Sequence, residues 1–242
     1  MLGRLVAAVW VSVVFLGCAQ AQTPIEIADG RAERTGPAAD LSVWEERAAF
    51  GQAARVARAY WQGRDTGFEE ERRVLAVAEG AFTRPEAEQH AILFAMSLWP
   101  RCCPKMGLVV IEQGQLVHHV AFEDIAQDLM AVPDLDGDGR DELATLGWFG
   151  MGGQMSQSLA LLAFSDDGLS GWGGTQLSNS ACAAGQSGTT AARVLALPGP
   201  EFLVEHYTQA SCEEPTWQPV GEAEPLHLVP PEESPYVELP TE

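Results

Sequence analysis

Basic residues are scarce in this sequence. Only 14 Lys and Arg stand against 34 Asp and Glu in 242 residues, which gives a formal net charge of −20. So negative a chain is repelled by partners that are themselves anionic. The composition therefore argues against nucleic acid and anionic membrane surfaces as partners, and it suits a soluble protein that attracts cations.

Recognisable catalytic motifs are also missing. Residues 185–188 fall one residue short of the G-x-S-x-G nucleophile elbow, and the zinc-binding H-E-x-x-H pattern is absent. His118 and His119 are adjacent, so in a strand they point to opposite faces and cannot share one metal. The sequence predicts a protein that is not an enzyme. The alternative is an exported enzyme whose active site would show as perturbed carboxylates or histidines in a cleft.

No hydrophobic run is long enough to be a transmembrane segment. The apolar run at residues 5–16 follows Arg4 and precedes Ala19-Gln-Ala21, an order typical of a cleaved secretory signal. Residues 1–21 are therefore predicted to be a signal peptide, and the mature protein to begin at Gln22. Residues 15–18 also resemble a lipobox that would place a lipid on Cys18, but it starts with Phe where Leu is usual. Both interpretations place the protein outside the cytoplasm, and ordinary cleavage to a secreted or periplasmic form is favoured.

Cysteines are few, and four of the five follow the predicted signal peptide: Cys102, Cys103, Cys182 and Cys212. An even number in an oxidising compartment predicts two disulfides. The Cα atoms of neighbouring residues are about 3.8 Å apart, which is below the roughly 4.4 Å that a disulfide usually needs. We therefore expect Cys102 and Cys103 each to bridge to one of Cys182 and Cys212.

The most informative stretch is acidic. Asp134, Asp136 and Asp138 occupy alternate positions, Gly139 follows, and Glu142 comes three residues later. So many carboxylates in one loop would repel one another, and Ca²⁺ resolves that conflict because it takes six to eight oxygen ligands. Glycine at 139 allows the chain to turn back sharply and close the shell. The predicted Ca²⁺ ligands are the side chains of Asp134, Asp136, Asp138 and Glu142 with the carbonyl of Arg140, whereas Asp141 should point outward.

The flanks of the loop distinguish two kinds of calcium site. An EF-hand-like sensor needs helices on both sides and a bidentate Glu at position twelve, where this chain has Thr145. Residues 129–132 and 143–146 are short and apolar, which favours strands. The spacing Asp-x-Asp-x-Asp-Gly-x-x-acid between strands resembles the FG-GAP (VCBS, integrin alpha-type) repeat. This resemblance implies a loop that joins two strands of a β-propeller blade and holds calcium through the ligands named above.

A repeat supports the strand interpretation. Residues 75–93 align with residues 128–146 at a constant shift, so that Phe82 meets Leu135 and Leu93 meets Leu146. The first copy lacks the acidic glycine-rich loop and is expected to bind no metal, and a third unit is predicted over residues 191–207. A period of about 50 residues is typical of a propeller blade, but three units are too few to close a ring. The predicted fold class is mostly β, with blade-like antiparallel repeats and one N-terminal helix.

The predicted domain organisation surrounds these repeats. A linker at 22–39 leads to an amphipathic helix at 40–63, which a Ser42–Glu45 capping box begins. A β-repeat domain at 64–212 and an extended Pro/Glu-rich tail at 213–242 follow. The apolar face expected to pack on the same domain is formed by Val43, Phe50, Ala54, Ala57 and Trp61.

Function is predicted from these features together. The glycine- and aromatic-rich residues 147–153 form either a ligand-binding lip or part of the core. We expect a secreted or periplasmic calcium-binding protein that is not an enzyme and whose calcium is mainly structural. A binding role toward a protein or glycan and a homo-oligomeric state remain open.

Overall fold

The computed structural model describes residues 23–32, 40–65, 67–98, 104–182, 188–197, 199, 201–213, 216–228 and 234–241. Two helices, α1 (Ser42–Glu45) and α2 (Ala48–Arg64), accompany antiparallel strands. The first five strands are β1 (Ile25–Asp29), β2 (Arg73–Gly80), β3 (Gln89–Ser97), β4 (Lys105–Glu112) and β5 (Gln115–Glu123). The next four are β6 (Ala126–Val132), β7 (Glu142–Met151), β8 (Gln154–Ser165) and β9 (Gly168–Ser180). The last four are β10 (Thr189–Leu197), β11 (Glu201–Gln209), β12 (Gln218–Pro225) and β13 (Val237–Glu238).

The mostly-β fold class is confirmed, and its strands form repeated four-stranded meanders. Strands β2 to β5 form unit 1, and strands β6 to β9 form unit 2 with the same order of pairing. The shift that aligns residue 75 with residue 128 also places the first residues of β2, β3 and β5 on the first residues of β6, β7 and β9. The shift read from the sequence is therefore the structural repeat.

The third unit is assembled from segments that lie far apart in the chain. Strands β10, β11 and β12 follow one another, as expected for β10 and β11, but the fourth strand of this unit is β1, which pairs with β10. Ile25 lies opposite Ala196 in that pairing. The prediction that residues 22–39 are only a linker is therefore wrong for Ile25–Asp29, because these residues complete unit 3. A short contact between β9 and β10 joins units 2 and 3 into one eight-stranded sheet.

Three apolar cores hold the units in layers. One core lies between units 1 and 2, with side chains such as Leu93 and Leu108 against Leu143 and Leu162. A second core joins unit 2 to unit 3. A third lies between the outer face of unit 1 and helix α2. The order of layers is therefore helix, unit 1, unit 2 and unit 3.

Helix α2 packs on its own domain, as predicted. Phe50, Ala54, Ala57 and Trp61 are buried against unit 1, while Val43 precedes α2 and is 49% exposed. The predicted capping box does not form: the residue before α1 is Leu41, and the Glu45 carboxylate accepts the Val74 N–H instead (3.0 Å). Glu45 is used to attach the short helix to the sheet rather than to cap it. No helix within the described ranges has the length and apolar character needed to cross a membrane.

The C-terminal region is more ordered than predicted. Within the expected extended tail, β12 pairs with β11, and β13 pairs with β5 at the edge of unit 1. The side chains of β12 are exposed along its whole length, so its backbone pairing, not an apolar pattern, holds it. This explains why hydrophobic periodicity gave no sign of it.

One disulfide joins Cys182 to Cys212, with Cα atoms 5.6 Å apart. The prediction that these two residues bridge to Cys102 and Cys103 is therefore wrong, and residues 102 and 103 lie outside the described residues. Strand pairing explains the observed bridge. Thr189 of β10 lies opposite both Ser180 and Gln209, so β9 and β11 end at the same level on either side of β10. The cysteines that follow these two strand ends can therefore reach each other.

We expect the double substitution Cys182→Ala and Cys212→Ala to lower the free energy of unfolding by roughly 3 to 4 kcal/mol, because the cross-link removes chain entropy from the unfolded state. The bridge closes a loop with a sequence separation of 30 residues. Urea unfolding monitored by tryptophan fluorescence measures the change. Non-reducing peptide mapping should recover Cys182 joined to Cys212, and a peptide with either residue joined to Cys102 or Cys103 would contradict this pairing.

Candidate metal centre

The acidic loop connects β6 to β7 at one end of unit 2. The two oxygens of Asp134 accept the N–H groups of Gly137 (2.7 Å) and Gly139 (2.9 Å). Both glycines have positive φ, +81° and +85°, a conformation that side chains disfavour. The loop is therefore shaped by one aspartate and two glycines. Because strands lie on both sides of it, the alternative of an EF-hand-like sensor is excluded.

Three carboxylates converge at this loop. Asp134, Asp136 and Asp138 each offer one oxygen, and these oxygens lie within 4.8 Å of one another. All three residues are exposed, so a cation can reach them from solvent. Within the described ranges, they form the only group of three acidic, histidine or cysteine side chains close enough to hold one metal ion.

Arg140 partly compensates the negative charge. Its Nε donates to Asp138 Oδ2 (2.8 Å), and its Nη1 lies 3.4 Å from Asp166 Oδ1. The Arg140 N–H also donates to the other oxygen of Asp138 (2.8 Å). Asp138 is thus the member of the trio that is paired with a cationic side chain, and its binding to a metal would compete with this arginine. The role of the Arg140 carbonyl as a ligand stays a prediction.

Glu142 lies apart from the exposed trio and is only 2% exposed. Its Oε2 accepts the Leu135 N–H (2.9 Å) across the base of the loop. Burial raises the pKa of Glu142 to about 7, and the charges of Asp136 and Asp134 add to the rise, while the bond from Leu135 opposes it. At this pKa the Glu142 carboxyl is neutral below pH 7 and about half-ionised at pH 7, and a nearby cation would favour its ionised form.

Asp141 was predicted to point outward, but its side chain bonds to unit 1. Its Oδ2 accepts the Ala81 N–H (2.8 Å), and its own N–H donates to the Ala81 carbonyl (2.9 Å). Ala81 belongs to the loop of unit 1 that corresponds to the acidic loop. Asp141 therefore joins the two loops and is not a member of the converging trio.

In the corresponding loop of unit 1, an amide side chain takes the place of Glu142. Gln89 occupies the position of Glu142 in the repeat, and its Oε1 accepts the N–H groups of Phe82 and Thr83 (2.9 Å each). Its Nε2 donates to Thr83 Oγ1 (2.7 Å) and to Glu112 Oε2 (3.0 Å). The Gln89 amide thus supplies N–H donors at the position where unit 2 has the carboxyl group of Glu142. The side chains of the unit 1 loop satisfy one another through the Gln89 amide. In unit 2 the ionised Glu142 can only accept hydrogen bonds.

Two other features were candidates for ligand binding. Trp148 and Phe149 are half-buried, and Trp148 packs against the core of units 2 and 3, while Met151 is 72% exposed. A cavity of about 380 Å³ is bordered by Asp124, whose pKa is raised by burial, and by the hydroxyl side chains of Thr145 and Ser158. Among the described residues that line it, no histidine, cysteine or second acid accompanies Asp124. This cavity lacks the pair of titratable groups that acid–base catalysis needs.

Comparison of the chain with protein-family models, with curated proteins and with solved structures found no match. The site is therefore interpreted from its own geometry. Sequence reasoning had selected the converging trio, but it missed the burial of Glu142 and the bond from Asp141 to unit 1. A signal for the burial was present, since Glu142 aligns with Gln89 immediately before an apolar strand in each copy.

We expect Glu142→Gln to remove a pH dependence of stability in metal-free protein. The pKa of Glu142 in the folded state, about 7, lies above its ordinary value of 4.5. The folded state therefore binds more protons between these values, and the free energy of unfolding falls as the pH rises through this window. The variant should lack this fall, which amounts to roughly 2 to 3 kcal/mol. Glutamine should still accept the Leu135 N–H, as Gln89 accepts that of Phe82.

Urea unfolding in EDTA at pH 5 and pH 8 provides the measurement. Glu88→Gln, which changes an exposed acid at the end of the unit 1 loop, is the matched control and should follow the wild type. Identical pH dependence of wild type and Glu142→Gln would contradict the assignment of a buried, protonated Glu142.

Proposed function

We propose that this chain is an exported β-repeat protein without enzymatic activity that binds one Ca²⁺ ion in the loop between β6 and β7. The observation that carries the proposal is the convergence of Asp134, Asp136 and Asp138 above the buried carboxyl of Glu142. The resemblance to an FG-GAP repeat agrees with this ligand set, including the carbonyl of Arg140. In such a site the metal supplies positive charge beyond that of Arg140.

The donor set favours calcium over other ions. Every side chain at the site offers oxygen, and the loop contains no histidine or cysteine, which zinc would favour. Mg²⁺ requires a small, nearly ideal octahedron and retains several waters, whereas Ca²⁺ accepts irregular shells of carboxylate and carbonyl oxygens. Glu142 would bind as the ionised carboxylate, so metal binding would release its proton near neutral pH.

A structural role follows from where the loop lies. Asp141 bonds to Ala81 of unit 1, and the Leu135 carbonyl accepts the Gly199 N–H of unit 3 (3.2 Å). The residues between the proposed ligands thus contact both neighbouring units. Calcium at this loop would stabilise the positions of three units together, and no moving lid or catalytic group is needed to explain it.

Export is supported by two independent features. The predicted signal peptide, residues 1–21, lies outside the described residues. The Cys182–Cys212 disulfide is the kind of bond that persists in an oxidising compartment. Extracellular calcium modules bind Ca²⁺ with Kd values of up to about 1 mM. A secreted or periplasmic location would therefore suit a site of this kind.

We expect Asp136→Ala to abolish the calcium-dependent rise in melting temperature. Extracellular calcium modules have Kd values of about 0.1 to 1 mM. Binding to the folded state alone then stabilises it by about 0.4 to 1.4 kcal/mol at about 1 mM calcium. Thermal unfolding in EDTA and in a calcium titration, with calorimetry for the stoichiometry, measures the effect. A wild type that melts at one temperature in both conditions and binds no calcium would refute the site.

Asp141→Ala is the matched control. It removes the carboxylate that accepts the Ala81 N–H but leaves the trio intact, so the melting temperature should fall equally in EDTA and in calcium. The calcium-dependent difference should be that of the wild type. Loss of that difference in Asp141→Ala would show that the metal site includes the unit 1 contact.

The exported form should begin at Gln22 and carry no lipid. Its intact mass decides between cleavage after Ala21 and diacylation at Cys18, because the two products differ in both length and attached mass. A mass that corresponds to a diacylated Cys18 would contradict this prediction and would show that the protein is anchored to a membrane by lipid.

A further inference from the structure

The C-terminal strap, defined here as residues 234–241, covers the outer edge of β5. Val237 and Glu238 pair with Ala121 and Val120, and the Leu239 N–H donates to the His119 carbonyl (2.8 Å). The strap thus forms a short ladder on one strand edge. Such a short ladder can open without unfolding the sheet beneath it.

Side chains attach the strap at three further places. The Tyr236 ring lies 5.2 Å from that of Phe122 in an edge-to-face contact. Glu238 accepts the Leu169 N–H of β9 (3.3 Å), and its other carboxylate oxygen lies 3.1 Å from His118 Nε2. Gln52 of helix α2 donates to the Thr241 carbonyl (2.7 Å). The strap therefore connects helix α2, unit 1 and unit 2.

A buried imidazole lies at the position where the strap crosses β5. His119 is 0% exposed, and within the described residues neither ring nitrogen has a hydrogen-bond partner of normal geometry, although the Pro240 backbone lies close to the ring. Phe94 of β3 is its aromatic neighbour at 6.3 Å. A protonated imidazole in this place would have two donors and only the Pro240 backbone beside it as an acceptor, so burial would disfavour it.

We propose that the C-terminal strap is an acid-sensitive latch: protonation of His119 requires access to water, and the strap, which contacts His119 through Leu239 and Pro240, detaches to provide it.

The charges around His119 agree with this direction. On β5 its neighbour is His118, whose charge also disfavours a proton on His119, and Glu238 of the strap is paired with His118. Strands β3 and β4 present Phe94 and Val109, and helix α2 contains arginines but no acid. In the part of the chain that the structure describes, no packed element therefore offers a carboxylate that would hold His119 in its charged form while the strap is closed.

Burial lowers the pKa of His119 from 6.5 to about 4. An open strap returns it to water, so the open state binds more protons between these two values. Stability of the closed strap is therefore complete above pH 6.5 and is lost as the pH falls toward 4. Lowering the pH from 7.5 to 5.0 should raise the opening equilibrium roughly 25-fold by this linkage.

Hydrogen exchange of the full chain tests the latch. The quantity compared is the protection factor of the Leu239 amide at pH 7.5 and 5.0, after correction for the intrinsic exchange rate at each pH and at one fixed calcium concentration. We expect it to fall roughly 25-fold, while amides of β4 keep their protection. Equal protection of Leu239 at both pH values overturns the proposal, and so does a parallel loss in β4, which would mean global unfolding.

Two substitutions assign the effect to one residue. In His119→Leu the protection of Leu239 should no longer depend on pH, and His119→Phe serves the same purpose should the leucine variant fail to fold. His118→Gln, which alters the neighbouring ring and its pairing with Glu238, should retain the pH response. A response that survives in both His119 variants, or disappears in His118→Gln alone, would overturn the assignment to His119.

Discussion

A four-stranded sheet has two faces, and both faces of units 1 and 2 are apolar. The strands β3 and β4 are buried along almost their full length, which is possible only because unit 2 covers one face and helix α2 the other. Unit 2 in turn lies between units 1 and 3. Stacking thus replaces ring closure as the means of burying blade-like sheets. The free edges that a ring would remove are managed separately, by β13 on β5 and by the exposed, proline-containing β12 beside β11.

The stacked arrangement brings loops of different units into contact. At the end of the sheets where β6 meets β7, the residues between the proposed metal ligands bond to units 1 and 3, so the most highly charged loop lies at a junction of layers. In the corresponding loop of unit 1, the amide of Gln89 accepts the backbone N–H groups of the loop, as the carboxyl of Glu142 does in unit 2. The two side chains differ in one respect: the amide carries its own donors, while the carboxyl of Glu142 depends on a proton or a cation. A single repeat unit thus yields one loop that is complete and one that responds to its surroundings.

What could be predicted from the sequence followed from local patterns. The alternation of apolar residues, the constant shift between the two copies and the buried face of helix α2 are all readable along the chain, and the structure contains them. Features that depend on distant pairing could not be predicted. The disulfide of Cys182 and Cys212 results from Thr189 lying between two strand ends, and the strand at Ile25–Asp29 has meaning only beside β10.

The acidic loop shows the same division between local and distant information. Asp141 was misjudged because its partner, Ala81, lies far away in the sequence, in the loop of unit 1. The convergence of Asp134, Asp136 and Asp138 was readable from their spacing. The burial that separates Glu142 from the exposed trio had only an indirect signal, its alignment with Gln89 before an apolar strand.

The placement of β1 constrains the order in which the molecule can be completed. Ile25 precedes units 1 and 2 along the chain, whereas its partner Ala196 follows them. Units 1 and 2 are continuous in sequence and can form meanders as they appear, because their pairings are local. Unit 3 cannot be completed by local pairing, because the strands of units 1 and 2 lie in sequence between β1 and β10. The molecule therefore joins a segment that precedes two complete meanders to one that follows them, and this pairing spans more of the sequence than any other strand pairing within the described residues.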